Sequence, residues 1–171
     1  MKILAFLVPF LLALACSSDA VQARLQSTAG AALPVSMDAL TARDVLDEVN
    51  ALRATGCKCP GGKYFKPAGA LQWNLQLEQA AQAHADDMYE RRYFSHESID
   101  GTEFSGRISR AGYDWQAVGE NIAKGYPTAH AVVQAWRNSR DHCPNMMNPK
   151  FQDVGVGKAG PYWVQDLGRR R

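Results

Sequence analysis

The chain has 171 residues, 46% of them hydrophobic and 21% charged, with a formal net charge of +2 that drops by one without Lys2. With its ends set aside, that length holds one domain with a real core. The balanced charge gives no reason to expect nucleic acid as a partner, and no internal repeat is present.

The chain opens as an export signal. Met1-Lys2 supplies a short positive start, and 3–15 is almost wholly apolar. That run is shorter than the roughly 20 residues a membrane span needs. Ala13-Leu14-Ala15 is a small-x-small cleavage site, so 1–15 reads as a secretory signal peptide. Cys16 follows directly, in the place of the acylated cysteine of a bacterial lipoprotein, although Ala13 stands where leucine is usual. Two outcomes are open for Cys16: lipidation, or ordinary cleavage that leaves a free or paired thiol. Ser17-Ser18 after it fit an outer-membrane destination for a lipidated form. Residues 16–34, rich in Ala, Ser, Gln and Gly and ending at Pro34, read as a flexible linker.

The folded part is expected over 35–168. The first helix is predicted over 36–54, with Val45, Leu46, Val49 and Leu52 at helical spacing and Gly56 as its stop. Residues 57–70, with Pro60, Pro67 and repeated glycines, read as a loop. Asn74 caps a helix that runs to about Arg92 and puts Leu77, Ala80, Ala81, His84 and Met88 on one face. A loop over 95–101 leads to a short helix over 104–111, ended by Gly112. Trp115 reads as part of a loop, and 117–123 as a strand or extended segment. Thr128 caps a helix to Arg137 that buries Ala129, Val132, Val133 and Trp136. Residues 153–158 and 162–167 alternate as strands joined at Gly160-Pro161. The tail 169–171 is a basic patch, read as solvated or in contact with anionic groups. Helices early and clear strands late favour an α+β arrangement.

Export makes a disulfide the expected state of cysteine. Cys57 and Cys59 are too close to bridge each other without strain, so one of them pairs with Cys143. The loop so closed contributes on the order of 4 kcal/mol in the chain-entropy model. A metal or redox role for the Cys-x-Cys is the alternative.

Seven segments carry a family resemblance: LQWNLQLEQAAQAHADDM (71–88), YFSHESIDG (93–101), RISRAGY (107–113), VGENIAKGY (118–126), AVVQAW (131–136), HCPNMMNPKFQDVGVG (142–157) and YWVQ (162–165). In content and order they resemble the bacterial branch of the CAP superfamily, the cysteine-rich secretory, antigen-five and pathogenesis-related-one proteins. The resemblance implies a three-layer α-β-α sandwich around a central antiparallel sheet. It also implies a cleft with two histidines and up to two acidic residues. Carried over, these are His96, Glu120 and His142; the second glutamate's position holds Ser139. Arg140-Asp141 replaces the usual Pro-Gly before the second histidine, and Asp166 stands where an apolar residue is common. In related sequences the bonded cysteine precedes a Gly-Gly loop, which implies a Cys59–Cys143 bridge.

Each candidate has a plain structural reading beside the functional one. His84, on an apolar helix face, reads as a core histidine with one hydrogen bond. Glu120 lies in an apolar run and must be paired; it either braces the turn or serves the cleft. Ser139 suits a helix end better than a nucleophile, since no strand-turn-helix elbow surrounds it. Trp73, Trp136 and Trp163 read as core.

Three functions remain open. The first is a non-catalytic binding module of the envelope, taking a lipid or other small apolar molecule, a glycan, a peptide or a protein. His96, His142 and Glu120 would then bind a divalent metal weakly, zinc by ligand type. The second is a metal-assisted hydrolase of protease type; some family members bind lipids and some have been proposed to be proteases. The third is an envelope interaction protein with no small ligand. Ser139 in place of the second carboxylate weighs against the hydrolase. The location expected is periplasmic, outer-membrane-anchored or secreted.

Overall fold

The computed structural model describes residues 37–171. The expected signal peptide and linker, with Cys16, lie outside the described residues. The elements run α1 (Met37–Thr55), β1 (Cys57–Lys58), β2 (Tyr64–Phe65), β3 (Gln72–Trp73), α2 (Leu75–Arg91), α3 (Phe104–Arg110), β4 (Trp115–Lys124), α4 (Ala129–Arg137), α5 (His142–Met146), β5 (Asp153–Ala159) and β6 (Tyr162–Arg170).

The expected α+β sandwich is present. The main sheet has the order β3-β5-β6-β4. β4, β6 and β5 pair antiparallel, and the two-residue β3 joins the edge in parallel to β5. Period-two alternation decides what each face meets. Val154, Val156, Trp163 and Leu167 pack with Ala42, Val45 and Val49 of α1 and Val132, Val133 and Trp136 of α4. On the opposite face, Ile122 and Val164 pack with Ala81, Ala85 and Met88 of α2. Leu77 and Ala80 of α2 also meet Ile108 of α3 and Tyr113.

The helix limits follow local chemistry. Gly56, at φ +73°, takes the left-handed conformation that ends α1. The Asn74 side chain accepts the Gln76 and Leu77 N–H groups at the start of α2, and Thr128 accepts that of Ala131 at the start of α4.

Four expectations change. The 57–70 loop contains the β1–β2 hairpin, because Cys57 pairs with Phe65 and Lys58 with Tyr64. Trp115 opens β4 instead of lying in a loop, its indole N–H held by Ser109 Oγ at 2.9 Å. α5 was not legible in the sequence. β6 runs through Arg169 and Arg170, paired with Ala117 and Trp115, so the domain does not stop at 168 and these arginines extend the sheet.

Arg53, buried at the end of α1, has no carboxylate partner among the described residues. It donates to the carbonyls of Gly69, Met146, Asn148 and Phe151 at 2.7 to 3.1 Å. Those bonds tie α1 to the segment after α5, and so steady the helix that carries His142.

Candidate functional site

β4 and β6 build the floor. Their register sets Glu120 opposite Asp166 and Ile122 opposite Val164, on the face toward α2. A carboxylate placed there by strand alternation is taken out of water and must find partners. Glu120 Oε2 accepts from Arg107 Nη2 at 2.7 Å, and Oε1 lies 2.7 Å from His96 Nδ1. The Glu120 side chain is fully buried and that of Arg107 nearly so, while His96 is half exposed.

Arg107 comes from α3 and also donates to Ser98 Oγ and the Thr102 carbonyl. It thereby fixes the loop that carries His96. The same loop is held from below by His84. Its Nε2 is 2.9 Å from the Ser95 carbonyl, which makes Nε2 the donor. Burial pushes the His84 pKa below the ordinary value. His84 is thus the core histidine the sequence suggested, and it positions the residue beside His96.

Asp166 is wholly buried next to Glu120. Neither of its carboxyl oxygens has an N–H or O–H donor. Burial, then the Glu120 charge, raise the Asp166 pKa well above normal. Asp166 is therefore held protonated to a higher pH than an exposed carboxyl. The sign of the pH effect follows. The folded chain keeps this proton above about pH 3.9 and the unfolded chain does not, so each further pH unit below the folded pKa costs about 1.4 kcal/mol. Asp166→Asn is expected to gain stability over the parent as pH rises from about 4.5 to about 7.5. Urea denaturation across that range is the check; parallel stability curves would refute the raised Asp166 pKa.

His142 arrives on α5. Ser139 Oγ accepts the N–H groups of Asp141 and His142 at 3.3 Å, Asn121 Nδ2 donates to the His142 carbonyl, and Cys143 is bonded to Cys59. Ser139 shapes the turn into the helix, and its hydroxyl makes no bond to His96, Glu120 or the His142 ring. The expected Cys59–Cys143 bridge is present, and Cys57 is free. The His142 pKa is lowered by burial and then by the nearby His96, which favours neutral imidazole.

His96 and His142 line one cavity of about 440 Å³ with Phe94, Glu97, Glu103 and Ile122. A second cavity of about 330 Å³ shares Phe94, Ile122 and His142 with it and continues over Ala135, Tyr126 and Ser139. A larger hollow of about 490 Å³ lies between α2 and α3 beyond Arg107, away from both cleft histidines.

Glu120 does not fit the role of third metal ligand. Both its oxygens are engaged, and among the described residues the one set of three His, Cys, Asp or Glu donors lying within 4.8 Å of one another is Cys57, Cys59 and Cys143. The two histidines offer imidazole nitrogens to one cavity, donors of a type that suits a divalent metal. Nδ1–H of His96 donates to the acceptor-only carboxylate, which leaves Nε2 with its lone pair, as in a carboxylate–histidine–metal arrangement. Sequence reasoning missed Arg107, although a buried Glu120 requires a cation or donors, and RISRAGY held the nearby arginines. It also missed the rim carboxylates Glu97 and Glu103.

Residues 46–166 match the family model described as the cysteine-rich secretory protein family, CAP, and the chain belongs to that family. It is 40% identical over 100 residues to the uncharacterized protein YkwD of Bacillus subtilis, a match that covers 57% of this chain and 38% of that protein. It is 34% identical over 100 residues to the uncharacterized membrane protein YlbC of the same organism, covering 58% of this chain and 29% of that one. The chain thus spans well under half the length of both. Among solved structures, an extracellular protein with an SCP domain from Bacillus anthracis superposes with a TM-score of 0.70 and 28% identity, over 78% of this chain and 42% of that one. An outer surface protein of Borrelia burgdorferi shares the fold, with a TM-score of 0.64 and 22% identity over 75% of this chain and 92% of that one. Among the described residues no helix is long and apolar enough to cross a membrane.

Proposed function

We propose that this CAP-domain protein is an exported, non-catalytic binding module of the bacterial envelope. Its groove takes a small apolar or lipid ligand, and His96 and His142 hold a divalent metal weakly at one end. One observation carries the reading. The two-histidine cavity shares Phe94, Ile122 and His142 with a second cavity, while the carboxylate of the cleft is fully buried and committed to Arg107 and His96. A base for hydrolysis needs a free lone pair within reach of water; Glu120 has spent its oxygens on bracing. The groove side is apolar, with Phe94 and Tyr126 exposed over Ile122 and Ala123. The extracellular and outer-surface descriptions of the structural relatives support the envelope location.

A bound ion would add a Lewis-acidic, water-bearing position beside the groove. His96 and His142 would ligate it, and Glu120 would orient His96. Calorimetric titration of metal-stripped protein with zinc is expected to give heat at about pH 7.5 and less at about pH 5.5, because the imidazoles must be neutral. His96→Ala and His142→Ala are expected to abolish the heat and stay folded. No heat at either pH, with both variants matching the parent, would remove the metal from the proposal. Solvent extraction of the exported protein and mass spectrometry test the ligand. Recovery of no apolar molecule above the level of a control secreted protein would count against the groove reading.

A further inference from the structure

The three buried cysteines form a cluster apart from the histidine cleft. Residues two apart in an extended segment point to the same side. Cys57 lies in β1, and the ladder continues past it with Cys59 N–H donating to the Lys63 carbonyl at 2.9 Å. Both thiol side chains therefore turn toward Cys143. Cys57 Sγ is 3.7 Å from Cys143 Sγ and 4.0 Å from Cys59 Sγ. The free thiol thus stands in contact with both sulfurs of the bridge. All three side chains are buried, packed with Met147, Leu52 and Phe65.

We infer that Cys57, Cys59 and Cys143 are an internal thiol–disulfide exchange centre, in which the bridge to Cys143 passes between Cys59 and Cys57. Cys57 Sγ rests beside the bridge and not in line with it, so the side chain first turns into line; Cys57 then loses its proton to solvent base and its thiolate attacks Cys143 Sγ. The Cys57–Cys143 bond forms as the Cys59–Cys143 bond breaks. The electron pair leaves on Cys59, which takes up a proton. One disulfide and one thiol are present before and after, so no oxidant or reductant is consumed. Burial raises the Cys57 pKa, against a smaller opposing pull from Arg137, which makes the step slow and keeps the resting thiol protonated.

The transfer has a spatial consequence. Cys57 sits inside β1, whereas Cys59 heads the turn closed by Gly62 N–H on the Cys59 carbonyl, and 60–64 are exposed. Exchange moves the free thiol from the strand to the residue that heads the exposed 60–64 turn, where it stays buried. α5, and with it His142, stays tethered through Cys143 in both forms. The inference is independent of the binding-module reading, since it needs neither metal nor ligand.

The test uses the full chain carrying Cys16→Ser, which keeps a fourth thiol out of the mixture. Native protein is held at about pH 8.5, where thiolate forms readily, then denatured in mild acid with N-ethylmaleimide and digested with trypsin without reduction. Lys58 separates the two cysteines, so Cys57 leaves on peptide 54–58, Cys59 on 59–63 and Cys143 on 141–150. Both cross-linked pairs, 54–58 with 141–150 and 59–63 with 141–150, are expected from the parent, each with the other cysteine alkylated. Cys57→Ser, which has no attacking thiol, is expected to show the Cys59 link alone. Cys59→Ser is expected to form the Cys57–Cys143 bond. A single linkage of either kind in the incubated parent overturns the proposal, whether or not the variants fold.

Discussion

Gly155→Ala is expected to destabilise the fold by on the order of 3 kcal/mol or more, and Gly157→Ala comparably. A Cβ at 155 would lie 2.0 Å from the Glu78 nitrogen and 2.2 Å from the Leu77 carbonyl carbon, and one at 157 would lie 2.3 Å from the Gln82 nitrogen. These are backbone atoms of α2 and cannot swing aside as a side chain would. The helix has to lift, loosening Leu77, Ala81 and Ala85 from the sheet. It also carries His84, so the hold on Ser95 and the setting of His96 go with it. Gly69→Ala is the control, since nothing lies within 4 Å of a Cβ there, and it is expected to change stability by less than about 0.5 kcal/mol. Denaturant midpoints decide the matter; a Gly155→Ala loss as small as the control's would mean that the helix does not need this close approach.

Glu120→Ala is expected to cost about 3–5 kcal/mol, the range for removing one partner of a buried ion pair. The loss falls on Arg107, whose side chain is 9% exposed and would keep its charge with no carboxylate facing it. Asp166 moderates the effect. It lies close enough to Arg107 to feel its charge, and with Glu120 gone it is free to ionise in its place. The double variant Glu120→Ala/Asp166→Asn is therefore expected to lose more than the two single changes together, an interaction on the scale seen for coupled neighbours. His96→Ala, at a half-exposed side chain, is expected to cost no more than about 1 kcal/mol. Urea denaturation of the parent and the four variants at neutral pH is the measurement. A Glu120→Ala loss no greater than that of His96→Ala would show that Glu120 does not brace the site.

Much of the molecule could be read before any coordinates. Asn74 and Thr128 announce helix starts because a short side chain followed by an apolar periodic run is a local signal. The alternation of DVGVGKA announces a strand for the same reason. His96, Glu120 and His142 were found by resemblance, since their spacing along the chain says nothing about convergence. β3 and the β1–β2 hairpin escaped notice because two-residue strands have no period to detect; only pairing of 57 with 65 and of 72 with 153 creates them. Glycine in β5 could be seen as weakening a strand, but that it admits a helix backbone is a fact about α2, distant in sequence.

The role of Glu120 shows where the division falls. Sequence alone determined that a carboxylate in an apolar strand needs partners, that the fold is α+β, and that one of two neighbouring cysteines bonds Cys143. These follow from burial cost, from hydrophobic period and from bond geometry, all of which act locally. Tertiary structure decided which partners Glu120 has. Strand register put Asp166 across from it, α3 delivered Arg107, and the loop pinned by His84 delivered His96. Those choices turned an expected metal ligand into an orienting group. A carboxylate has a fixed number of lone pairs, and which donors claim them depends on segments brought together by packing.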